Sequence, residues 1–244
     1  MRLKCIGCNA LARPIYLCAA SSPHVIDITL LNRGLHVNPA DLRSRLQAEI
    51  DATSKEYDAI AMVYGLCGGA TAGLEARHVP VVMPRAHDCI AVFLGGRERY
   101  QAEFSKHPGT YWYVHDYLER DDGSDQTLGI GAPSDDMLQE TYTEYVAKFG
   151  RENADYLMET IGAWLDHYDR AVFIDLGIVD ASATETQARD EATRRGWLFE
   201  RMTGSLEIVR RLLDADWEND FLVLEPGRQV AMSYDEGVIT QKAV

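Results

Sequence analysis

Short apolar runs alternate with stretches of helical periodicity over the first 95 residues, the pattern that parallel strands make when helices cover them. Leu3–Cys8 and Val25–Leu31 read as the first two strands, with a short helix over Ala10–Ala20. Asn38 suits a helix cap and Pro39 the first helical position, which predicts a helix running to about Thr53. Asp58–Tyr64 (DAIAMVY) is a buried strand that breaks at Gly65-Leu66-Cys67-Gly68-Gly69, where another helix is expected to begin. Val79–Met83 is a fourth strand, running through Pro84-Arg85-Ala86-His87-Asp88-Cys89 into a helix at Ile90–Leu94.

The middle is less regular. Helix is expected over Arg97–His107, strand over Thr110–Val114, a polar loop over Asp121–Ser134, and one or two helices over Met137–His167 with a break at Gly150. A second α/β stretch follows: strands at Ala171–Leu176, Trp197–Arg201 and Phe221–Leu224, and helices at Thr184–Arg195 and Ser205–Leu213. The last fifteen residues read as a loose tail. The fold class is therefore α/β, an open parallel sheet of doubly wound βαβ units. Its parts are an N-terminal α/β part at 1–109, a helical segment at 110–170 and a C-terminal α/β part at 171–244, together one compact fold.

Composition narrows the functions. With 38 acidic against 24 basic residues the formal charge is −14, a field that repels phosphate backbones and anionic membranes. The chain has no apolar run of membrane-spanning length, and its start lacks the pattern of a signal peptide, so the expected location is cytoplasmic. Five cysteines in a chain of 244 residues do not make a disulfide framework. Their uses are core packing, nucleophilic chemistry or metal ligation.

Cys8, Cys67 and Cys89 each fall at the carboxyl end of an expected strand, where an open parallel sheet gathers its ligands. Each also precedes an expected helix start, whose unpaired N–H groups favour a thiolate, the form that binds soft metals and iron–sulfur clusters. Gly65, Gly68 and Gly69 allow a close backbone approach and positive φ in the turn. Against this stands the habit of free cysteine to be a small core residue. Cys5 and Cys8 have C-x-x-C spacing, but strand alternation points them to opposite faces, and Cys18 reads as core.

Candidate partners of the thiols are His87 as a fourth ligand or acid/base, Asp88, and Arg85 as a carboxylate binder. The plainer roles are a cap for Asp88, turn packing for His87 and a surface ion pair for Arg85. Asp175 and Glu225 close two later strands and are expected to satisfy turn backbone; Tyr111, Trp112, Tyr142 and Tyr145 fit a core better than a pocket. No P-loop, G-x-S-x-G or H-E-x-x-H occurs, nor a G-x-G-x-x-G after the first strand.

Five segments together resemble the domain of unknown function 1638 family: Cys8-Asn9-Ala10-Leu11-Ala12, Tyr64-Gly65-Leu66-Cys67-Gly68, Arg85-Ala86-His87-Asp88-Cys89-Ile90, Leu94-Gly95-Gly96-Arg97-Glu98-Arg99-Tyr100 and Pro108-Gly109-Thr110-Tyr111-Trp112. The resemblance implies genomic company with corrinoid-dependent methyltransferases, and so a place near methyl-group and one-carbon metabolism. Two functions are expected. One is an enzyme acting on a small molecule through a [4Fe–4S] cluster, or zinc, held by Cys8, Cys67 and Cys89. The other is a non-catalytic accessory that binds a corrinoid protein or methyltransferase. A metal-free enzyme with Cys89 as nucleophile and His87 as base is disfavoured by their i, i+2 spacing.

Overall fold

The computed structural model describes residues 1–120, 135–165, 167–233 and 237–244; the expected polar loop at 121–134 lies outside them. In chain order the elements are β1 (Arg2–Cys8), α1 (Ala12–Ser21), β2 (Val25–Leu31), α2 (Pro39–Ala52), β3 (Ala59–Val63), β4 (Val81–Pro84), α3 (Cys89–Leu94), α4 (Arg97–Lys106) and β5 (Thr110–Val114). They continue with α5 (His115–Leu118), α6 (Asp135–Phe149), α7 (Arg151–Leu165), β6 (Arg170–Asp175), α8 (Ser182–Arg195), β7 (Leu198–Thr203), α9 (Glu207–Leu213), β8 (Phe221–Leu224), β9 (Arg228–Met232) and β10 (Ile239–Ala243).

The chain divides into two units, one of Met1–Ala102 with Thr203–Val244, the other of Glu103–Met202. This differs from boundaries at 109 and 170, because β5 and β6 pair in parallel within a single sheet, ordered β5-β6-β7. Tyr111, Tyr113 and Phe173 are buried there against Ala188 and Ala192 of α8, so Tyr111 is core.

The first unit holds a five-stranded sheet ordered β2-β1-β3-β4-β8. Its first four strands are parallel, and β8 returns antiparallel beside β4. Every residue of β3 is buried, as an interior strand covered on both faces requires. Asn38 caps α2 as expected by accepting from the Ala40 N–H at 3.1 Å, and α2 buries Leu42, Leu46 and Ile50 at helical spacing. α1 packs on α9, which packs on β3 and β4.

Two expectations are corrected. No helix follows Cys67: Cys67, Gly68 and Gly69 have φ of 48°, 64° and 86°, three successive left-handed residues that no right-handed helix can contain. The last residues are not a tail: β9 and β10 form an antiparallel ladder with Ile239 opposite Met232, anchored by the buried Val230 and Ile239.

Candidate functional site

In the first unit the strand order reverses at β1, since β2 lies on one side and β3 on the other. The crevice beyond the carboxyl ends of β1 and β3 is the topological switch point, where open α/β sheets bind ligands. Cys8 is the last residue of β1, in register with Leu31 at the end of β2. Tyr64 to Cys67 leave β3, and Cys89 opens α3 just beyond β4.

Backbone contacts hold the second and third of these segments together. Leu66 N–H donates to the Ala86 carbonyl at 2.8 Å, and Cys67 N–H to the His87 carbonyl at 2.9 Å. Gly65 is required here for its lack of a side chain, because a Cβ would meet Asp88 N at 2.8 Å and the Ala86 carbonyl oxygen at 2.9 Å. Nothing lies within 4 Å of a Cβ placed on Gly68 or Gly69, so the far side of the turn faces open space. Arg43 of α2 fastens that turn by donating to the carbonyls of Gly69, at 2.8 Å, and Ala70, at 3.2 Å. A left-handed cysteine is strained, and such strain concentrates at functional sites.

The thiols share one electrostatic neighbourhood, and their environment corrects the expectation of lowered pKa values. Burial pushes the Cys8 thiol up to about 11, against the Ala10 backbone N–H and the Arg33 charge, which pull it down. Burial also raises Cys67, and the charges of Cys8 and Asp88 add to it. Cys89 is held well above the usual thiol range by burial, then by Asp88, Cys67 and Cys8. All three therefore stand protonated at neutral pH. Cys5 and Cys18 are buried and belong to the core.

Among the described residues no group of three or more His, Cys, Asp or Glu side chains is arranged to hold a metal ion. Cys8, Cys67 and Cys89 influence one another electrostatically but are not arranged as such a group.

Of the candidate partners, Asp88 caps α3 by accepting from the N–H groups of Ile90, at 2.9 Å, and Ala91, at 3.2 Å. Burial raises its pKa in spite of those donors. His87 is exposed, with its ring against Tyr100 at 6.2 Å. Arg85 donates to the carbonyls of Phe221, Gly237 and Ile239, which fixes β8 and the β10 end of the hairpin. Asp175 and Glu225 do not share a sheet. Asp175 accepts from Gly177 N–H at 2.9 Å and pairs with Arg201.

Sequence reasoning passed over three residues around Cys8. Arg33, directly beyond β2, is 1% exposed. Tyr64 is equally buried, and burial raises its pKa, followed by the charges of Cys8 and Cys67 and a hydrogen bond with the Cys8 thiol. The His36 ring stacks on that of Tyr64 at 6.0 Å. The available signal was position alone: Arg33 and Tyr64 sit at the ends of β2 and β3, as Cys8 does at the end of β1.

The first unit is thus of the doubly wound α/β class, with Cys8, Cys67 and Cys89 at or beyond the carboxyl ends of β1, β3 and β4. The chain belongs to the protein family of unknown function DUF1638, whose profile matches residues 30–213. No curated protein and no solved structure matches it significantly. Among the described residues no helix is long and apolar enough to cross a membrane.

Proposed function

We propose that the crevice is a three-cysteine cofactor site, loaded by a [4Fe–4S] cluster, through which the protein acts on a small molecule in or near methyl-group and one-carbon metabolism. The observation that carries this reading is the arrival of Cys8, Cys67 and Cys89 from three separate strand ends at the switch point. Buried thiols that repel one another as thiolates lose their protons only against a compensating cation, which an iron–sulfur cluster or a zinc ion supplies. Final closure of the ligand sphere falls to the 67–69 turn, which has open space beside both glycines. Cys8, Cys67 and Cys89 would hold such a cluster, and with three protein ligands it would supply Lewis-acid chemistry. Zinc in the same place keeps the site and changes the chemistry.

Protonated thiols are poor nucleophiles, and an exposed His87 beside Tyr100 is badly placed as a base for Cys89. These two facts weigh against a metal-free cysteine enzyme.

The test is elemental analysis and a visible absorption spectrum on protein purified without oxygen, with Cys8→Ala, Cys67→Ala and Cys89→Ala beside Cys5→Ala and Cys18→Ala. Iron and sulfide are expected in the wild type and in the last two variants, and are lost from the first three. Wild-type protein without any metal would overturn the proposal and leave the accessory to a corrinoid protein or methyltransferase as the surviving reading.

A further inference from the structure

The second unit has a cleft of its own where two of its strands end. β5 and β6 run parallel, and open parallel sheets gather their ligands beyond the carboxyl ends of such strands. A cleft of about 190 Å³ lies there, lined by His115 and Asp116 directly after β5, by residues 174–179 at the end of β6, and by Ala181 just before α8. It is smaller than the roughly 300–1,000 Å³ of ordinary small-molecule sites, so a group that enters it must be short.

Three side chains are joined in series at its wall. The His115 ring stands between Thr184 Oγ1, 2.7 Å from Nδ1, and Glu119 Oε2, 3.3 Å from Nε2. A neutral imidazole offers one donor and one acceptor, and a carboxylate only accepts. Nε2–H therefore donates to Glu119, and Nδ1 is left to accept from the Thr184 hydroxyl. Local structure builds the series: Glu119 lies at i, i+4 from His115, and Thr184 is in the first turn of α8, three residues on from Ala181 in the cleft wall. A hydroxyl bonded to a base that a third group orients is the arrangement of an activated nucleophile.

α8 brings donors for a developing oxyanion. Its first intrahelical bond runs from Glu185 N–H to the Ala181 carbonyl at 2.9 Å, and Ser182 N–H donates to Asp180 at 3.0 Å. The N–H groups of Ala183 and Thr184 lie between these two, ahead of the helical ladder, and the dipole of 14 residues acts in the same direction. Asp116 and Asp175 in the cleft wall disfavour an anionic group.

We propose that Thr184, His115 and Glu119 form a second reactive centre, which transfers a short uncharged acyl group from an ester to water. Thr184 Oγ attacks the ester carbonyl while its proton passes to His115 Nδ1; the ester C–O bond breaks and the alcohol leaves with that proton. Water then attacks the acyl-threonine, giving a proton to His115, which returns it to Thr184 Oγ as the acid departs. Glu119 is a positioning residue that holds the ring. The centre is independent of the reading of the cysteine crevice.

Full-length protein is mixed with p-nitrophenyl acetate, release of p-nitrophenolate is followed, and quenched samples are digested and sequenced by mass. A stoichiometric burst is expected, with the acetyl group on Thr184. Thr184→Val keeps the shape and removes the hydroxyl, so it loses the burst and the label, whereas Thr184→Ser keeps both. His115→Gln slows acylation on the order of a hundredfold or more, and Glu119→Gln lowers kcat with KM unchanged.

Wild-type protein without a burst, or with acetyl on other residues only, would overturn the centre. So would a Thr184→Val protein that turns over as the wild type does. Unchanged kcat in Glu119→Gln would overturn its positioning role. Unfolding temperatures check that each variant is folded, and if His115→Gln is not, the Thr184→Val and Thr184→Ser pair decides.

Discussion

Gly65→Ala tests whether contact between the 65–67 turn and the 86–88 segment builds the crevice. The new methyl would sit 2.8 Å from Asp88 N, 2.9 Å from the Ala86 carbonyl oxygen and 2.9 Å from Asp88 Cα. All three are backbone atoms, so no side chain can swing aside, and the segments must part by roughly half an ångström to restore ordinary contact. Overpacking of this kind costs about 1–3 kcal/mol. Separation also weakens the Leu66-to-Ala86 and Cys67-to-His87 hydrogen bonds, each worth about 1 kcal/mol. The expected loss is about 2–4 kcal/mol, or about 5–12 °C in unfolding temperature for a unit of this size.

Gly69→Ala is the matched control. It adds the same methyl at φ +86°, where nothing lies within 4 Å, so only left-handed backbone strain of about 1 kcal/mol is expected. Urea and thermal unfolding followed by circular dichroism measure both, and alkylation rates at Cys67 and Cys89 report whether the crevice has opened. Equal stabilities for the two variants, with unchanged alkylation, would refute the view that Gly65 holds the thiol segments together.

Cys8 makes stability pH-dependent in metal-free protein. Its thiol pKa is raised from 9.0 to about 11, so the folded state keeps a proton that the unfolded chain releases; the contribution is complete below pH 9 and is lost as pH rises towards 11, by about 2–3 kcal/mol in all. Urea midpoints across that window should fall less steeply for Cys8→Ala than for wild type, and parallel slopes would contradict the assignment. Arg85→Ala leaves the carbonyls of Phe221, Gly237 and Ile239 without this donor; limited proteolysis should then cut within 228–243 well before the rest of the chain, at a stability cost of about 2 kcal/mol. In the second unit, Arg170 is 4% exposed and is paired with Glu103 and Glu200. Arg170→Ala strands both carboxylates and should cost about 3–5 kcal/mol, whereas Glu200→Gln, at the more exposed partner, should cost under about 1 kcal/mol; denaturant midpoints distinguish the two.

The strands and most helices were legible because their signals are local. DAIAMVY can only be a buried strand, and Asn38-Pro39 places the start of α2 to the residue. The turn after β3 was misread as a helix start because its sequence, rich in Gly and Ala, suits either outcome. What decides is tertiary: Arg43 claims the carbonyls of Gly69 and Ala70, and Gly73 N–H pairs with Val230, far along the chain. The C-terminal hairpin escaped notice for a similar reason, since β10 carries one buried apolar residue, Ile239, in an otherwise exposed strand. The placement of Cys8, Cys67 and Cys89 at or beyond strand ends was legible because strand ends can be counted along a sequence. Arg33 and Tyr64 were not, because a polar residue beyond a strand looks like ordinary loop until its burial is known.

The reversal of the expected thiol chemistry comes first from burial, the largest influence on all three thiols, and the helix end does not offset it. A helix N-terminus favours negative charge through its unpaired N–H groups, and Cys89 does occupy the first position of α3. Those donors are already taken, however. Asp88 accepts from both Ile90 and Ala91, so the field that would have stabilised a Cys89 thiolate stabilises the Asp88 carboxylate instead, and that carboxylate then repels charge on Cys89 and Cys67. Arg33 is the opposing influence, and it acts on Cys8 alone among the three. The three thiols are therefore held protonated at neutral pH, and under the proposed cofactor reading entry of a cation would have to release protons. Uptake of metal should steepen with pH for that reason, which links the burial of the three thiols to the chemistry proposed for them.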